Sequence, residues 1–162
     1  MKNKTLKTDY TEFDSINELS VEHQQLLRKA IESAQTAYAP YSNFKVGSAV
    51  LLENGEIVCG SNQENAAYPS GLCAERVALF YSGAHFPGVK IKSIAVTAFP
   101  PDETEPAAVS PCGDCRQVMA EYEHRYARNI ELIMMGANGK VLVFNNVTEL
   151  LPFMFNPDNL LV

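Results

Sequence analysis

Residues 44–62, FKVGSAVLLENGEIVCGSN, are the stretch on which the fold prediction depends. Two apolar runs flank an Asn-Gly pair at 54–55, and such a pair between apolar runs is the strongest short-range indication of a β-hairpin. The segment IELIMMGANGKVLVF, residues 130–144, repeats this arrangement around a second Asn-Gly pair. The sequence therefore predicts two antiparallel strand pairs, one in each half of the chain.

Helical patterns precede, separate and follow these hairpins. Apolar residues recur at helical spacing over residues 21–38, and the pattern ends where a proline follows. Two further helices are predicted over residues 73–83 and 112–124, with the apolar segment IKSIAVTAF, residues 91–99, as a buried strand between them. The segment VTELLPFMF, residues 147–155, is predicted to be a short C-terminal helix.

The order of these elements, α-ββ-α-β-α-ββ-α, is typical of an α/β protein. It favours a sandwich of two or three layers around one mixed sheet of five strands. The hairpin strands should be antiparallel, whereas the strands that flank the second and third helices should run parallel. Residues 1–19 lack apolar periodicity, so we predict an N-terminal extension at the surface or partly disordered, followed by a single domain over residues 20–162.

Composition and charge restrict the classes of function. The 162 residues are 20% charged and 46% hydrophobic, as in an ordinary globular domain. A formal net charge of −6 disfavours nucleic acid as a partner and favours small neutral substrates. No apolar segment follows the N-terminal lysines and no apolar run could span a bilayer, so we expect a cytoplasmic protein with no membrane partner.

Three of the four cysteines lie where helices are predicted to begin. Cys73 opens the second helix, and Cys112 and Cys115 lie in the first turn of the third. Helix N-termini favour thiolates, and three thiolates at one edge of a sheet suit tetrahedral zinc with a fourth position left for water. The remaining cysteine, Cys59, ends a strand, and we predict that it is a small buried apolar residue.

The motif CAE at residues 73–75, followed by PCGDC at residues 111–115, indicates a catalytic zinc site. Zinc nucleobase deaminases carry H-x-E and then P-C-x-x-C, with cysteine allowed in place of the histidine. A C-x-x-C pair alone also occurs in structural zinc sites and redox centres. Glu75 is suited to proton transfer, and we hypothesise that Arg76 donates hydrogen bonds to the thiolates; the alternative for Arg76 is a surface ion pair.

With these motifs in place, the chain resembles the short-chain, homotetrameric cytidine deaminases. The resemblance runs over residues 41–155 and includes YSNFKVGSAV, SNQENAAYPSGLCAERVAL, SPCGDCRQVMAE and ELLPFMF in the order of that family. It implies a cytidine deaminase-like three-layer α/β/α sandwich, and a catalytic domain over residues 20–162. It also implies a homotetramer that deaminates cytidine and deoxycytidine to uridine and deoxyuridine with release of ammonia, a reaction of pyrimidine salvage.

The resemblance further implies a role for each residue that matches the family's motifs. Cys73, Cys112 and Cys115 would hold one zinc ion per subunit, and Glu75 would be the catalytic proton shuttle. The role of Arg76 as a hydrogen-bond donor to these thiolates stays the separate hypothesis given above and is not implied by the resemblance.

Substrate contacts are implied in the same way. Phe44 would lie against the pyrimidine ring, and Asn62 and Glu64 would bind the ribose hydroxyl groups. Phe155 would reach the pocket of a neighbouring subunit, so that assembly completes each active site. Taken without the resemblance, the two phenylalanines could be packing residues, and Asn62 and Glu64 could form a turn.

The chain departs from the family's pattern at two positions and in its greater length, through the N-terminal extension and the proline-rich loop, and three alternative functions remain. Ser61 stands where cysteine is common, and Asp114, where alanine is common, adds a negative charge beside the thiolates. One alternative is a deaminase of another cytosine-bearing molecule such as blasticidin S, whose enzymes share SPCGxCRQ and ELLP. A polynucleotide-editing enzyme is disfavoured by the acidic charge, and a non-catalytic zinc-stabilised module by the presence of Glu75.

Overall fold

The computed structural model describes residues 1–160, which form a six-stranded mixed sheet with helices on both faces. The three helices are α1 (Val21–Ala34), α2 (Ala74–His85) and α3 (Gly113–Tyr126). The strands are β1 (Thr11–Phe13), β2 (Lys45–Leu52), β3 (Ile57–Ser61), β4 (Ile91–Phe99), β5 (Glu131–Met135) and β6 (Val141–Phe144). Short 3-10 turns occupy Ile16–Glu18, Tyr68–Ser70, Ala137–Gly139, Val147–Leu150 and Pro157–Asn159. Within residues 1–160, none of the helices has the length and apolar character of a bilayer-spanning segment.

The strand order, β1-β6-β5-β4-β2-β3, confirms the predicted mixed sheet and both hairpins. β2 pairs with β3 and β5 with β6, in each case antiparallel. β4 and β5 run parallel, and α3 supplies the long crossover connection that a parallel pair requires. The start of α3 therefore lies near the end of the sheet at which β4 finishes.

The sheet has six strands, not the predicted five, because part of the N-terminal segment joins it. β1 pairs antiparallel with β6, Tyr10 stacks on Phe144 at a ring-centroid distance of 5.3 Å, and Glu12 forms an ion pair with Lys140. A strand of three residues is too short to show an alternation of apolar and polar positions. Its formation depends on the exposed edge of β6, which the local sequence does not encode.

The predicted C-terminal helix over residues 147–155 is wrong. Only Val147–Leu150 is helical, as a single 3-10 turn, and Leu151 leaves helical geometry with φ −136° and ψ 68°. Pro152 accounts for this end because the residue before a proline is biased away from the α conformation. Phe153, with φ 57°, then turns the chain in a different direction.

Strand residues alternate between two hydrophobic cores, which confirms the three-layer α/β/α arrangement. The core between the sheet and α1 includes Leu26, Leu27, Ala30, Ala49, Leu51, Ala95, Ile133 and Val141. The core between the sheet and the other two helices includes Val50, Leu79, Ile94, Val96, Met119, Leu132 and Phe144. Because consecutive strand residues point to opposite faces, the apolar runs in β2, β4 and β5 serve both cores.

Two glycines bring helices into direct contact with strand backbone. A Cβ atom on Gly47 would lie 2.0 Å from the carbonyl oxygen of Ala30 in α1. A Cβ atom on Gly60 would lie 2.5 Å from the carbonyl oxygen of Ala74 and 2.7 Å from the nitrogen of Ala78, both in α2. The contact at Gly60 therefore determines where the first turn of α2 lies on the sheet.

Gly60→Ala should lower the free energy of unfolding and displace the first turn of α2, because backbone atoms cannot rotate away from the added methyl group. Overpacking of this kind costs about 1 to 3 kcal/mol. Denaturant unfolding measures the loss, and the rate of zinc release to a chelator reports on the position of the turn. Gly47→Ala is the matched control on the opposite face, and it should destabilise the protein without faster zinc release. Equal zinc release from both variants would contradict the assignment.

Candidate metal centre and active-site pocket

The thiols of three residues, the metal cysteines Cys73, Cys112 and Cys115, come together at the N-terminal ends of α2 and α3. Their sulfur atoms all lie within 4.8 Å of one another, with 3.7 Å between Cys73 and Cys112 and 3.5 Å between Cys112 and Cys115. Tetrahedral zinc with Zn–S bonds of about 2.3 Å separates its sulfur ligands by about 3.8 Å. The three thiols therefore have the chemistry and the spacing of a zinc site, and no histidine belongs to the group.

Helix starts hold two of these cysteines in place. Cys73 is the N-cap of α2 and Cys112 is the N-cap of α3, and both have extended backbone geometry. Neither thiol caps its own helix through a side-chain hydrogen bond, so the sulfur atoms remain available as ligands. Cys115, in the first turn of α3, is fully buried and supplies the third thiol of the group from the protein interior. The positive ends of both helix dipoles favour thiolates at this point.

The thiols differ in acidity before any metal binds. A hydrogen bond from the Cys115 thiol, together with bonds from Arg76 and Cys112, lowers the pKa of Cys73 to about 5. The same hydrogen bond to Cys73, and then burial, raise the pKa of Cys115. Cys73 therefore loses its proton more readily than Cys115, and Cys115 must lose its proton when a metal binds.

Arg76 lies between the thiols and Asp114. Its Nη2 atom donates to the sulfur of Cys73 at 3.8 Å, and its Nη1 atom lies 3.8 Å from Oδ2 of Asp114. The Asp114 side chain is 79% exposed, so this ion pair contributes little to stability. The guanidinium group thus faces the metal cysteines on one side and solvent-exposed charge on the other.

Glu75 is a buried acid beside the metal group. The residue is 4% exposed, and burial raises the pKa of its carboxyl group to about 7, with a further contribution from the charge on Cys73. A carboxyl group with this pKa can both accept and donate a proton near neutral pH. Because Glu75 follows the N-cap by two residues, its side chain enters the same pocket as Cys73 without joining the three sulfur atoms.

The pocket in front of the metal group has a volume of about 710 Å³, which is the size range of small-molecule sites. It brings together residues from three of the four family segments, and these include both helix starts. Those that the sequence predicted to have functional roles are Phe44, Asn62, Glu64, Cys73, Glu75, Arg76 and Cys112. A ligand in this pocket would therefore lie between Phe44 and the metal group.

Asn62 and Glu64 also hold the loop that carries Phe44. Asn62 accepts a hydrogen bond from the nitrogen of Val46 at 2.7 Å and donates one to the carbonyl oxygen of Phe44 at 2.9 Å. Glu64 accepts hydrogen bonds from the nitrogen of Tyr41 and the hydroxyl of Ser42, and the bond from Ser42 in particular lowers the pKa of its carboxyl group. Sequence spacing does not indicate this second role.

Two tyrosines at the pocket were missed by the sequence analysis. Tyr41 and Tyr68 line it, and their rings meet edge to face at a centroid distance of 6.4 Å. Both lie inside segments that carried the family resemblance, so their position in those segments was the available signal. Their rings give the mouth of the pocket an apolar wall with polar hydroxyl groups.

Phe155 and Cys59 lie outside this pocket. Phe155 is 57% exposed and is not among the residues that line it. The prediction that Cys59 is buried is wrong, because it is exposed on β3, an edge strand of the sheet. An edge strand lacks a neighbour on one side, so even its inward-facing positions can reach solvent.

Sequence comparisons identify relatives that share this region. The family model described as "Cytidine and deoxycytidylate deaminase zinc-binding region" matches residues 20–128, which include the three metal cysteines and Glu75. The chain is similar to the cytidine deaminase of Halalkalibacterium halodurans, with 37% identity over 142 residues that cover 86% of this chain and 98% of the relative. It is 45% identical over 100 residues to the cytidine deaminase of Sporosarcina psychrophila, covering 61% of this chain and 68% of the relative.

Solved structures agree in fold. The crystal structure of cytidine deaminase from Burkholderia pseudomallei has a TM-score of 0.70 and 38% identity, covering 82% of this chain and 98% of that one. The crystal structure of cytidine deaminase from Mycobacterium tuberculosis has a TM-score of 0.64 and 29% identity, covering 84% and 98%. The similarity thus extends over nearly the whole of each structure.

We expect one zinc ion per chain in the purified protein, because the three thiols can bind one metal ion with a position left open. Cys115→Ser should lose most of this zinc, since a serine hydroxyl replaces a buried thiolate ligand. Zinc content after dialysis against a chelator, measured by atomic absorption, checks the prediction. Cys59→Ser is the matched control and should keep the content of the unmodified protein. Full zinc retention in Cys115→Ser would rule this ligand out.

Proposed function

This chain belongs to the cytidine and deoxycytidylate deaminase family, and from this membership we propose that it hydrolyses cytidine and deoxycytidine to uridine and deoxyuridine, releasing ammonia. The observation that carries the proposal is the buried carboxyl group of Glu75 in the same pocket as the three metal cysteines. A metal site that served stability alone would not require a buried acid beside it, because burying a carboxyl group away from water costs free energy. The reaction belongs to pyrimidine salvage.

Cys73, Cys112 and Cys115 would hold the zinc ion in the proposed enzyme. When bound, zinc supplies Lewis-acid chemistry that makes water a stronger nucleophile near neutral pH. The cysteines contribute through their position at two helix starts, which leaves the side facing the pocket open. A cytosine ring in the pocket would therefore present C4 to this open side.

Glu75 would move the protons of the reaction. Its carboxylate would take a proton from the attacking water and give it to N3 of the cytosine ring. It would then take the remaining proton of that water, by then the hydroxyl group on C4, and pass it to the departing amino group, so that the C4–N bond breaks, C4 becomes a carbonyl carbon and ammonia leaves as a neutral molecule. Burial keeps bulk water away from Glu75, so protons are exchanged with the substrate.

Arg76 would offset the charge of the metal site. Three thiolates on a divalent ion leave a net negative charge, which weakens the pull of the ion on water. The Nη2 atom of Arg76, 3.8 Å from the sulfur of Cys73, would withdraw some of that charge. Asp114, close to Nη1, would keep the guanidinium group in this orientation. Its negative charge would also offset part of the positive charge that Arg76 supplies.

Arg76→Met should lower zinc affinity by about tenfold or more, because partners of metal ligands typically contribute 10- to 100-fold. Competition with a chromogenic chelator measures the affinity independently of activity. Arg128→Met is the matched control, since Arg128 forms a surface ion pair with Glu53 away from the metal cysteines. An unchanged zinc affinity and an unchanged turnover in Arg76→Met would remove this role.

Substrate binding would use the residues around the mouth of the pocket. Phe44 would stack against the pyrimidine ring, and Asn62 and Glu64 would bind the ribose hydroxyl groups. Their bonds to the loop leave capacity for this, because a carboxylate has about four acceptor positions and an amide group has two N–H donors. Asn62 uses one of its N–H groups for the carbonyl oxygen of Phe44.

The active enzyme would be a homotetramer in the cytoplasm. Phe155 is exposed and does not line its own pocket, so its contact with a substrate would have to be in the pocket of a neighbouring subunit. The unpaired thiols at the metal site suit a reducing compartment, where disulfides do not form. Size-exclusion chromatography with light scattering measures the subunit number, and a monomer would overturn the tetramer.

Incubation of the purified protein with cytidine, deoxycytidine, cytosine, adenosine and blasticidin S tests the proposed function. Ammonia should be released from the two cytosine nucleosides. Glu75→Gln should retain zinc yet lose turnover by at least about 100-fold, because general acid–base catalysis typically contributes 100- to 10,000-fold. Glu121→Gln, at an exposed position of α3, should keep full activity.

Each other outcome has a defined meaning. Release of ammonia from blasticidin S alone would replace the proposed substrate with that antibiotic. No release from any compound by the zinc-loaded protein would favour a non-catalytic module. Full activity of Glu75→Gln would refute the proton shuttle while leaving the overall reaction in place.

A further inference from the structure

The chain after β6 is held to α3 by hydrogen bonds between its backbone and three side chains of that helix. This C-terminal segment, residues 147–160, contains only two short 3-10 turns and no strand within the described residues. Irregular chain of this kind is ordered chiefly by the side chains that bind its backbone groups. The three helix residues concerned are Arg116, Gln117 and Glu123.

Glu123 determines where the segment begins. Its buried carboxylate accepts hydrogen bonds from the nitrogen of Ile130 at 2.7 Å and from the nitrogen of Val147 at 3.1 Å. One oxygen atom therefore joins the connection after α3 to the first residue of the segment. The start of the segment is tied to the C-terminal half of α3.

Arg116 connects the segment to Pro111, in the loop that ends at Cys112 and is called the metal loop. Its Nε atom donates to the carbonyl oxygen of Pro111 at 2.8 Å, and its Nη1 atom donates to the carbonyl oxygen of Leu150 at 2.9 Å. Pro111 directly precedes Cys112, so a single guanidinium group spans the metal loop and the middle of the segment. The geometry of Arg116 serves both, which makes its substitution a poor test of either.

Gln117 holds the segment at Phe155, five residues after the contact of Arg116 with Leu150. Its Nε2 atom donates to the carbonyl oxygen of Phe155 at 2.7 Å, while Phe155 as a whole residue remains 57% exposed. The backbone of this residue is therefore fixed to α3 while its aromatic ring projects outwards. Three successive contacts, at residues 147, 150 and 155, thus align the segment with the helix that carries Cys112 and Cys115.

We propose that Gln117 is a positioning residue for substrate binding, which holds Phe155 where it completes the pocket of a neighbouring subunit. The inference rests on the proposed function and on the tetramer. Its particular basis is the hydrogen bond from Gln117 to the backbone of an exposed aromatic residue that lies outside its own pocket. Gln117 does not touch the substrate, and it acts through Phe155.

The expected signature is a change in KM with little change in kcat. Without the Gln117 bond, the chain around Phe155 samples more conformations, and substrate binding must then order it. The hydrogen bond from Gln117 goes to Phe155 alone and involves neither Glu75 nor a metal cysteine, so their geometry should be unchanged although Cys115 is two residues away on α3. A residue that contributes to binding alone affects KM rather than the chemical step.

Gln117→Met removes the donor but keeps side-chain length and helix propensity. Its KM for cytidine should rise about three- to tenfold, as expected for loss of one hydrogen bond, with kcat within about twofold and an unchanged zinc content. Glu121→Met is the matched control, a like exchange at an exposed position of the same helix, and its KM should be unchanged. An unchanged KM in Gln117→Met, or an equal rise in both variants, would overturn the proposal.

A double variant shows whether Gln117 acts through Phe155. Phe155→Leu should raise KM by itself, and adding Gln117→Met should then raise it no further, because the residue that Gln117 positions is already lost. Two independent effects would instead multiply. A multiplied KM in the double variant would contradict the proposal.

Hydrogen exchange separates this inference from the proposed function. Backbone amides of residues 151–156 should exchange several-fold faster in Gln117→Met than in Glu121→Met, whatever the activity of the protein. If the unmodified protein releases no ammonia but exchange is still faster in Gln117→Met than in Glu121→Met, the deaminase function is refuted and the contact of Gln117 with the segment is supported. An active deaminase with unchanged exchange and unchanged KM in Gln117→Met would refute the positioning role and keep the function.

Discussion

The contact between α2 and the bare backbone of β3 at Gly60 is the constraint on which the site depends. It lets the helix lie so close to the sheet that the distance of its first turn from the sheet is fixed. Cys73 is the N-cap of this helix, and Glu75 follows two residues later. The crossover from β4 through α3 to β5 then brings the second helix start to the same edge. Two independent features of backbone packing therefore bring the metal cysteines together.

One helix start then brings three different polar groups into the same pocket. Cys73 is the N-cap of α2, and Glu75 and Arg76 lie in its first turn, so that a thiol, a carboxyl group and a guanidinium group line the pocket together. Burial raises the pKa of Glu75 to about 7, whereas hydrogen bonds from Cys115 and Arg76 lower that of Cys73 to about 5. The two shifts are opposite because burial is the largest influence on the pKa of Glu75, whereas hydrogen bonds to the thiolate are the largest influence on the pKa of Cys73.

Irregular chain around the site is ordered by polar side chains rather than by secondary structure. Asn62 and Glu64 hold the loop with Phe44, and Gln117 holds the backbone of Phe155. In each case a polar side chain binds main-chain groups that no helix or strand satisfies, which prevents the loss of hydrogen bonds on folding. Residues that sequence motifs assign to a ligand can thus also determine the shape of the pocket.

The sequence by itself determined the features that depend on neighbouring residues: both Asn-Gly hairpins, the three helices, and the cysteine and Glu75 motifs at the starts of α2 and α3. Only the tertiary structure decided that residues 11–13 add a strand, that Cys59 is exposed, and that Phe155 lies outside its own pocket. These outcomes depend on which elements are neighbours in the folded chain: β1 pairs with the free edge of β6, and Cys59 is exposed because β3 has no neighbour on one side. Local propensity encodes turns and helix starts, whereas the pairing of an edge or the path of a 3-10 segment is settled by the contacts that the folded core leaves available.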